Sequence, residues 1–226
     1  MKIKETILKY DTNKYNFQEI VGQLYVSKLN LIHNDSEDNY EEVKGLGRDS
    51  DTIFHKVFYK KYKEGWIEME ELYKQFIKEQ IFPLIKKLTK DNEIVYQKFP
   101  TFRVHLPHNK VISTWHSDGD TQHQHPRGEI NFILPLTRAY NTNTVWVESE
   151  PEKLDFHPVN MEYGEYLMFN GNQCIHGNKI NKTGKTRVSF DFRVLPGSKY
   201  DDHYINKTVT TGQQYKIGSY YEIMEK

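Results

Sequence analysis

The spacing of apolar residues changes near Ile94, and this change constrains the fold more than any other feature of the chain. Before it, apolar side chains recur every three or four residues, as on one face of a helix. Beyond it, β-branched and aromatic residues alternate with polar ones in six short runs, at 94–96, 102–104, 129–134, 144–147, 165–169 and 187–194. Short strands that follow helices predict an α+β protein, built on a barrel or sandwich with helices against one outer face.

The first 93 residues are expected to supply those helices together with outer strands. Short apolar clusters in the first forty residues predict one or two outer strands, and the polar, glycine-bearing stretch 34–50 is typical of a surface loop. A first helix is expected to be capped by Asp49 or Ser50. A second, longer helix should kink or end at Pro83.

Length and charge limit the classes of protein to be considered. The 226 residues predict a single domain 1–226, made of strands and buttressing helices (1–93), a barrel with the active site (94–197) and a C-terminal arm or lid (198–226). Acidic and basic residues number 31 each, so we expect a small-molecule substrate and neither nucleic acid nor membrane as a partner. One cysteine and no long apolar stretch predict a cytoplasmic protein, which could form a homodimer.

Three residues have the composition of a metal site: His116 and Asp118 in Trp-His-Ser-Asp, and His176 in Cys-Ile-His-Gly-Asn. Residues i and i+2 of an extended strand project to the same face, so His116 and Asp118 can reach one ion. His176 follows 58 positions later, which suits another strand of a closed antiparallel barrel. Two imidazoles and one carboxylate with open coordination positions are the facial triad of non-haem Fe(II) oxygenases, whereas structural zinc takes four ligands.

Arg187 adds a co-substrate to this prediction. The segments 174–181 and 186–194 flank a glycine-containing turn, which predicts a hairpin that brings Arg187 close to His176. A guanidinium holds a carboxylate through two parallel hydrogen bonds, as the distal carboxylate of 2-oxoglutarate would require. Ser189 lies on the same strand face and could donate its hydroxyl to the same carboxylate.

The combined pattern resembles the 2-oxoglutarate/Fe(II)-dependent dioxygenase superfamily, through His116, Asp118, His176, Arg187 and Ser189. A closer resemblance, to the streptomycin-biosynthesis StrG-like dioxygenases, is carried by the strings at 128–137, 145–149 and 176–194. This resemblance implies a double-stranded β-helix, which is a jelly-roll or cupin-like barrel. It also implies Fe(II) as cofactor, 2-oxoglutarate and O₂ as co-substrates, and a substrate among sugars, other natural products or surface-glycan precursors.

Five further polar or aromatic residues are candidates for the site, each with an alternative. Arg103 and Asn131 could face the cavity and bind the co-substrate, but Arg103 could equally lie at an exposed edge, and Asn131 could satisfy a backbone group. Glu129, Trp146 and Glu148 are candidates for the substrate wall, where carboxylates bind hydroxyls or amines and an indole stacks on a sugar. The alternative for these three is a core tryptophan with surface acids.

Three other features are interpreted structurally first. Arg193 is expected to pair with Asp191 on the same strand face. His123 and His125 are interpreted as lid or substrate contacts, or as exposed residues, rather than as metal ligands. The segment from Ser198 onwards could close over the barrel mouth, pair with another subunit or form a loose terminus.

The sequence therefore predicts an Fe(II)/2-oxoglutarate-dependent dioxygenase that hydroxylates an unactivated carbon of a small polar molecule. The alternative from another class is a cupin-like, metal-containing binding or regulatory protein that has the same barrel and does not turn over 2-oxoglutarate. A zinc hydrolase is not favoured, because the sequence has no His-Glu-x-x-His motif.

Overall fold

The computed structural model describes residues 3–35, 52–109, 115–209 and 211–225. Its helices are α1 (Phe17–Gly22), α2 (Ile53–Lys63), α3 (Ile67–Phe76) and α4 (Phe82–Thr89), with a π-helical turn at Ile77–Ile81 and 3₁₀ turns at Leu29–Asn34 and Gly197–Lys199. Its strands are β1 (Thr6–Lys9), β2 (Glu93–Gln97), β3 (Thr101–His105), β4 (Ile130–Pro135), β5 (Val145–Val147), β6 (His157–Pro158), β7 (Glu165–Phe169), β8 (His176–Asn178), β9 (Arg187–Pro196) and β10 (Tyr221–Glu225). No helix in the described ranges is long and apolar enough to cross a membrane.

The strands form two antiparallel sheets. The larger sheet has the order β1-β7-β4-β9-β2-β10, with β3 paired to the first half of β9, and the smaller sheet has the order β6-β5-β8. Val145 and Val147 of the smaller sheet share an apolar cluster with Leu167 and Phe169 of the larger one, so the two sheets face each other. The predicted mixed architecture of helices and antiparallel sheets is confirmed.

The ten residues of β9 give the two faces of the larger sheet different characters. Val188, Phe190, Phe192 and Val194 belong to the main apolar core, which also contains the buried side chains of the helices. Phe58 of α2, for example, stacks on Phe102 of β3 with ring centroids 4.0 Å apart. On the other face of β9, four polar or charged residues line the space between the sheets: Arg187, Ser189, Asp191 and Arg193. Leu195, which follows on this face, is apolar and packs against the C-terminal tyrosines.

The helices differ in detail from the sequence-based expectation. Thr52 is the N-cap of α2, and its side chain accepts a hydrogen bond from the backbone N–H of His55. Asp49 and Ser50, expected as caps, lie outside the described residues, as does most of the expected loop 34–50. The long helix does not end at Pro83, because the π-helical turn shifts the hydrogen-bond register and places Pro83 in the first turn of α4, where a missing N–H is tolerated.

Local pairing near the N-terminus agrees with the prediction in part, and local pairing beside His176 does not. Among the described N-terminal residues, β1 forms one outer strand, within the predicted one or two, while the apolar clusters at 20–21 and 29–32 lie in α1 and in a 3₁₀ turn and contribute buried side chains there. The predicted hairpin between 174–181 and 186–194 is wrong, because β8 pairs with β5 and β9 pairs with β3, β2 and β4. The connecting turn crosses from one sheet to the other, and the Asn181 side chain ties it to the carbonyl of His105 at the end of β3.

Candidate metal centre

The three candidate ligands meet between β8 and the segment that faces it. His116 forms an antiparallel bridge with His176, with N···O distances of 3.1 and 2.9 Å between their backbones. Asp118 lies in a turn rather than on the expected extended strand, and its backbone N–H donates to the carbonyl of Gly171. The Oδ1 atom of Asp118 is 3.5 Å from Nε2 of His116 and 3.6 Å from Nε2 of His176.

This donor set fits a divalent transition metal. The three ligand atoms lie within 4.8 Å of one another, and two imidazoles with one carboxylate suit iron and its neighbours in the first transition series. The Nδ1 atom of His176 is 3.1 Å from the carbonyl of Cys174, so this nitrogen carries the proton and Nε2 keeps its lone pair. Burial lowers the pKa of His176 to about 4, although Asp118 opposes the shift. His176 is therefore neutral near pH 7, as a ligand must be.

The second oxygen of Asp118 is held by two donors from the larger sheet. Oδ2 accepts a hydrogen bond of 2.6 Å from the Asn131 amide and one of 2.9 Å from Nε of Arg193. Burial alone would raise the pKa of Asp118, but Arg193 and the nearby imidazoles hold it well below its usual range. The carboxylate is thus ionised and oriented, and the Asn131 amide donates to a candidate metal ligand.

A row of alternating charges continues from Asp118 across the sheet. The NH1 group of Arg193 donates to Oδ1 of Asp191 over 2.9 Å, which is the ion pair expected from the sequence. Oδ2 of Asp191 accepts from Nε of Arg103, also over 2.9 Å. Burial would raise the pKa of Asp191, but Arg103 and Arg193 together lower it to about 2. The four groups are therefore all charged near neutral pH.

A cavity of about 640 Å³, counted to its open mouth, lies between the two sheets beside the candidate ligands. Its lining includes His116 and His176, the apolar side chains of Val145 and Phe169, and the polar residues of the larger sheet: Arg103, Asn131, Arg187, Ser189, Asp191 and Arg193. The structure therefore places the predicted co-substrate residues in the same cavity as the predicted metal ligands. Their binding roles stay predictions.

Arg187 is fixed within this cavity by two contacts. Its Nε donates to the carbonyl of Asn143 over 3.0 Å, and its NH1 donates to the hydroxyl of Ser189. His105 lies opposite Arg187 in the pairing of β3 with β9, and its Nδ1 is 3.2 Å from the same carbonyl of Asn143. Burial, reinforced by Arg187, lowers the pKa of His105 to about 3, so this imidazole is neutral and leaves the positive charge to Arg187.

The three substrate-wall candidates are not brought together, and none of them lines the cavity. Trp146 lies on the outer face of β5, where its indole N–H donates to the carbonyl of Asn141 and the Lys179 ammonium covers its ring. The buried carboxylate of Glu148 accepts from the backbone N–H groups of Ile175 and Leu154. Glu129, also buried, accepts from the hydroxyl of Tyr221 and is 2.7 Å from Nδ1 of His125. A substrate role for these three residues stays a prediction.

The C-terminal tyrosines contact the loop that follows Asp118. For the segment from Ser198 onwards the sequence had left three alternatives: closure over the barrel mouth, pairing with another subunit and a loose terminus. The hydroxyl of Tyr204 donates to the carbonyl of Gln124, and the ring of Tyr215 lies 4.7 Å from that of His125. Asp118, His125 and Glu129 also lie within metal-ligand distance of one another. Burial opposes the shift, but Glu129 and Asp118 raise the pKa of His125 above its usual value and so favour the protonated imidazole beside the two acids.

The Trp115 indole lies close to the backbone of Gly177, and this contact joins the two histidine-bearing segments. Trp115 precedes His116, and Gly177 follows His176. A Cβ atom added at Gly177 would lie 2.8 Å from Cδ2 of the Trp115 indole, closer than side chains can pack. The indole also meets Phe156 edge to face, with ring centroids 4.5 Å apart.

Comparisons with known proteins agree with this architecture. No family model matches the chain. The streptomycin biosynthesis protein StrG of Streptomyces griseus is 32% identical over 227 residues, which cover 97% of this chain and 98% of StrG. Among solved structures, a nickel complex of the non-heme monooxygenase ThoJ gives a TM-score of 0.50 at 10% identity, with 91% of this chain and 80% of ThoJ covered. The non-heme alpha-ketoglutarate-dependent carbocyclase SnoK, from nogalamycin biosynthesis, gives 0.51 at 10% identity, with 68% and 71% covered. At these identities the two structures show a shared fold.

Proposed function

The chain belongs to the family of the streptomycin biosynthesis protein StrG, and on that premise we propose that it is an Fe(II)/2-oxoglutarate-dependent dioxygenase. One observation carries the proposal: two imidazole nitrogens and one carboxylate oxygen converge beside a cavity that also contains Arg187 and Ser189. A metal-binding set alone would fit many proteins. A fixed guanidinium in the same cavity adds the means to bind a dicarboxylate co-substrate.

The order of the strands supports the finer assignment of the barrel as a double-stranded β-helix. From β3 to β9 the chain passes repeatedly between the two sheets: β3, β4, β7 and β9 lie in the larger one, and His116, the consecutive strands β5 and β6, and β8 lie in the smaller one. Such a winding brings the two sheets face to face around a central cavity, as in jelly rolls and cupins. His116 and His176 then sit on the smaller sheet, Asp118 lies in the turn after His116, and the proposed co-substrate anchor sits on the larger sheet.

In this proposal each residue has a defined task. His116, Asp118 and His176 would hold iron. When bound, iron supplies the activation of O₂, and the activated oxygen oxidises both 2-oxoglutarate, to succinate and CO₂, and the substrate. Arg187 binds the distal carboxylate of 2-oxoglutarate, with its guanidinium oriented by the Asn143 carbonyl and the Ser189 hydroxyl. Val145 and Phe169 supply apolar surface to the same cavity.

The proposed substrate is a small polar molecule, derived from a sugar or serving as another precursor of a natural product or surface glycan, and the proposed reaction is hydroxylation of an unactivated carbon. The support comes from the printed role of StrG in streptomycin biosynthesis and from the balanced charge of the chain. SnoK, whose fold is shared, is described as a carbocyclase. Product analysis must therefore distinguish hydroxylation from ring closure.

Anaerobic addition of Fe(II) and 2-oxoglutarate tests the core of the proposal. Chelation of iron by the keto acid should give a weak visible charge-transfer band, and a library of sugars and related metabolites should then contain a compound that stimulates succinate release in air. His116→Ala and Asp118→Ala should reduce both signals to background while the circular dichroism spectrum stays unchanged. A chain that binds Fe(II) but neither binds nor consumes 2-oxoglutarate would instead be the cupin-like binding protein.

A further inference from the structure

The two oxygens of Asp118 lie in different surroundings. Oδ1 faces the Nε2 atoms of His116 and His176, at 3.5 and 3.6 Å. Oδ2 points the other way, toward the larger sheet, and accepts from both Asn131 and Arg193. A carboxylate oxygen has about two lone-pair positions, so these two donors saturate Oδ2. Only Oδ1 remains in a position to bind a metal.

Both donors are themselves held in place. Asn131 and Arg193 are partners in the pairing of β4 with β9, so their side chains leave the sheet on the same face, and both are buried. Asp191 fixes the other end of the Arg193 guanidinium, and Arg103 fixes Asp191. The direction of the Arg193 Nε–H bond is therefore determined by a second ion pair as well as by Asp118.

The Asn131 amide is confined by a glycine. A Cβ atom at position 171 would lie 2.5 Å from Cγ of Asn131, so the amide occupies the space that any side chain at Gly171 would need. The carbonyl of Gly171 also accepts the backbone N–H of Asp118. Asp118 and Asn131 thus both contact Gly171. Among the described residues the Oδ1 atom of Asn131 has no hydrogen-bond partner, so the amide is oriented by its donation to Asp118.

We propose that Arg193 and Asn131 are positioning residues that keep Asp118 a one-oxygen metal ligand. By occupying Oδ2, they prevent the carboxylate from chelating the ion through both oxygens and so keep three of six coordination positions open for the co-substrate and O₂. This inference rests on the proposed function, because it assumes a metal at His116, Asp118 and His176.

If Arg193 and Asn131 had only a structural role, substitutions at these two residues would have different effects. If Arg193 served only to neutralise buried Asp118 and Asp191, any cation of similar reach would suffice, and the uncharged Asn131 would be dispensable. A positioning role requires the direction of both hydrogen bonds. Lysine keeps the charge but has no planar fork that can bind two carboxylates at once. Arg193→Lys and Asn131→Ala therefore separate direction from charge.

Mn(II) is the probe, because the relaxation of water protons by bound Mn(II) reports how many water molecules the ion holds. With three protein ligands an octahedral ion keeps three waters, and chelation by both oxygens of Asp118 would leave two. The relaxivity of bound Mn(II) should therefore fall by about one third in the Asn131→Ala/Arg193→Lys double variant, with smaller decreases in the single variants. Arg138→Lys is the matched control: it makes the same change of residue type at a surface ion pair with Glu162, away from Asp118 and Asp191, and should keep the parent relaxivity.

The outcomes separate the two proposals. Folded variants that bind Mn(II) with the parent stoichiometry and the parent relaxivity would overturn the positioning role and leave the metal site intact. If Arg193→Lys does not fold, as judged by thermal unfolding, Asn131→Ala decides alone, since it changes no charge. The proposed function fails in a different way. It fails if the parent binds no Mn(II), or if His176→Ala binds Mn(II) as well as the parent does, and either result would overturn the positioning role too.

Discussion

The two faces of the larger sheet are equally buried and chemically opposite. On the helix side, β9 presents Val188, Phe190, Phe192 and Val194, which pack among the aromatic residues of the helices. On the cavity side, the same strand presents Arg187, Ser189, Asp191 and Arg193, which are also at least half buried. One strand therefore supplies both the centre of the core and the wall of the candidate site.

The difference between the two faces shows that a buried side chain does not always stabilise the fold. Apolar burial on the helix side contributes favourably, at about 25 cal/mol for each Å² removed from water. The row Arg103, Asp191, Arg193 and Asp118 is hydrogen-bonded throughout, yet removing charges from water costs free energy that their attraction only partly offsets. We infer that the helix side holds the sheet together and the cavity side is maintained for binding.

Phe192→Ala, on the helix side of the sheet, should give the largest loss of stability. Phe192 is fully buried, stacks on Phe132 with centroids 5.1 Å apart and meets Tyr73 edge to face. Its truncation should lower the free energy of unfolding by about 3–5 kcal/mol, measured with urea at pH 7. Ser189→Ala on the opposite face of the same strand is the matched control and should cost only about 1 kcal/mol. Equal losses in the two variants would contradict the division between the faces.

Arg187→Ala should break the cavity side without this loss of stability. Removing a charge-assisted, two-point contact from a partly buried pocket should weaken 2-oxoglutarate binding by about 2–5 kcal/mol, or roughly thirtyfold to several thousandfold. Iron binding should hardly change, and pyruvate, which lacks the distal carboxylate, should lose its disadvantage. Titration of 2-oxoglutarate into the anaerobic Fe(II) protein measures this.

The control for Arg187→Ala is the same substitution at Arg138, an exposed residue paired with Glu162 on the surface. It should leave 2-oxoglutarate affinity at the parent value. Parent affinity in Arg187→Ala as well would mean that the anchor lies at Arg103 or Arg193.

Lowering the pH should reduce the free energy of unfolding through one buried histidine on each side of the larger sheet. His55 packs on Phe102 at the helix side and His105 lies at the cavity side, and burial lowers the pKa of each from 6.5 to about 3. Between these values the unfolded chain binds protons that the folded chain excludes, so stability should fall as the pH falls through this range, by about 1.4 kcal/mol per pH unit for each histidine. His55→Gln should reduce the slope by that amount in urea titrations between pH 4 and 6. An unchanged slope would show that His55 titrates normally.

Alternation in the sequence was sufficient to place most strands of the larger sheet. The run at 165–169 coincides with β7, and the run at 187–194 begins with β9 and ends two residues before β9 does. Local signals failed where long-range packing decides. A glycine turn cannot reveal that the chain crosses between sheets, so the segments around His176 and Arg187 do not form the predicted hairpin, although both line one cavity.

The candidate site was predictable by residue type and less so by contact. Histidines and an aspartate with the right spacing predicted the candidate metal ligands, because few other functions need that set, and the structure brings the three side chains together. The contacts of Asn131 and Arg193 with Asp118 depend on the register between β4 and β9 and on a loop that meets both strands. No sequence period encodes that meeting. The position of Trp146 on the outer face of β5 was not predictable either, since alternation along β5 does not tell which of its faces is the inner one.

Because Gly177 has no side chain, the size of residue 177 and of the residue that packs against it should set the distance between the imidazoles of His116 and His176. The Trp115 indole fills the space that a Cβ would need, so the chain neighbours of His116 and His176 act as a spacer of fixed thickness. A larger residue at position 177 would have to be matched by a smaller one at position 115, and the two positions should covary among proteins of this family. For an engineer, this pair offers a way to adjust ligand spacing without altering a ligand.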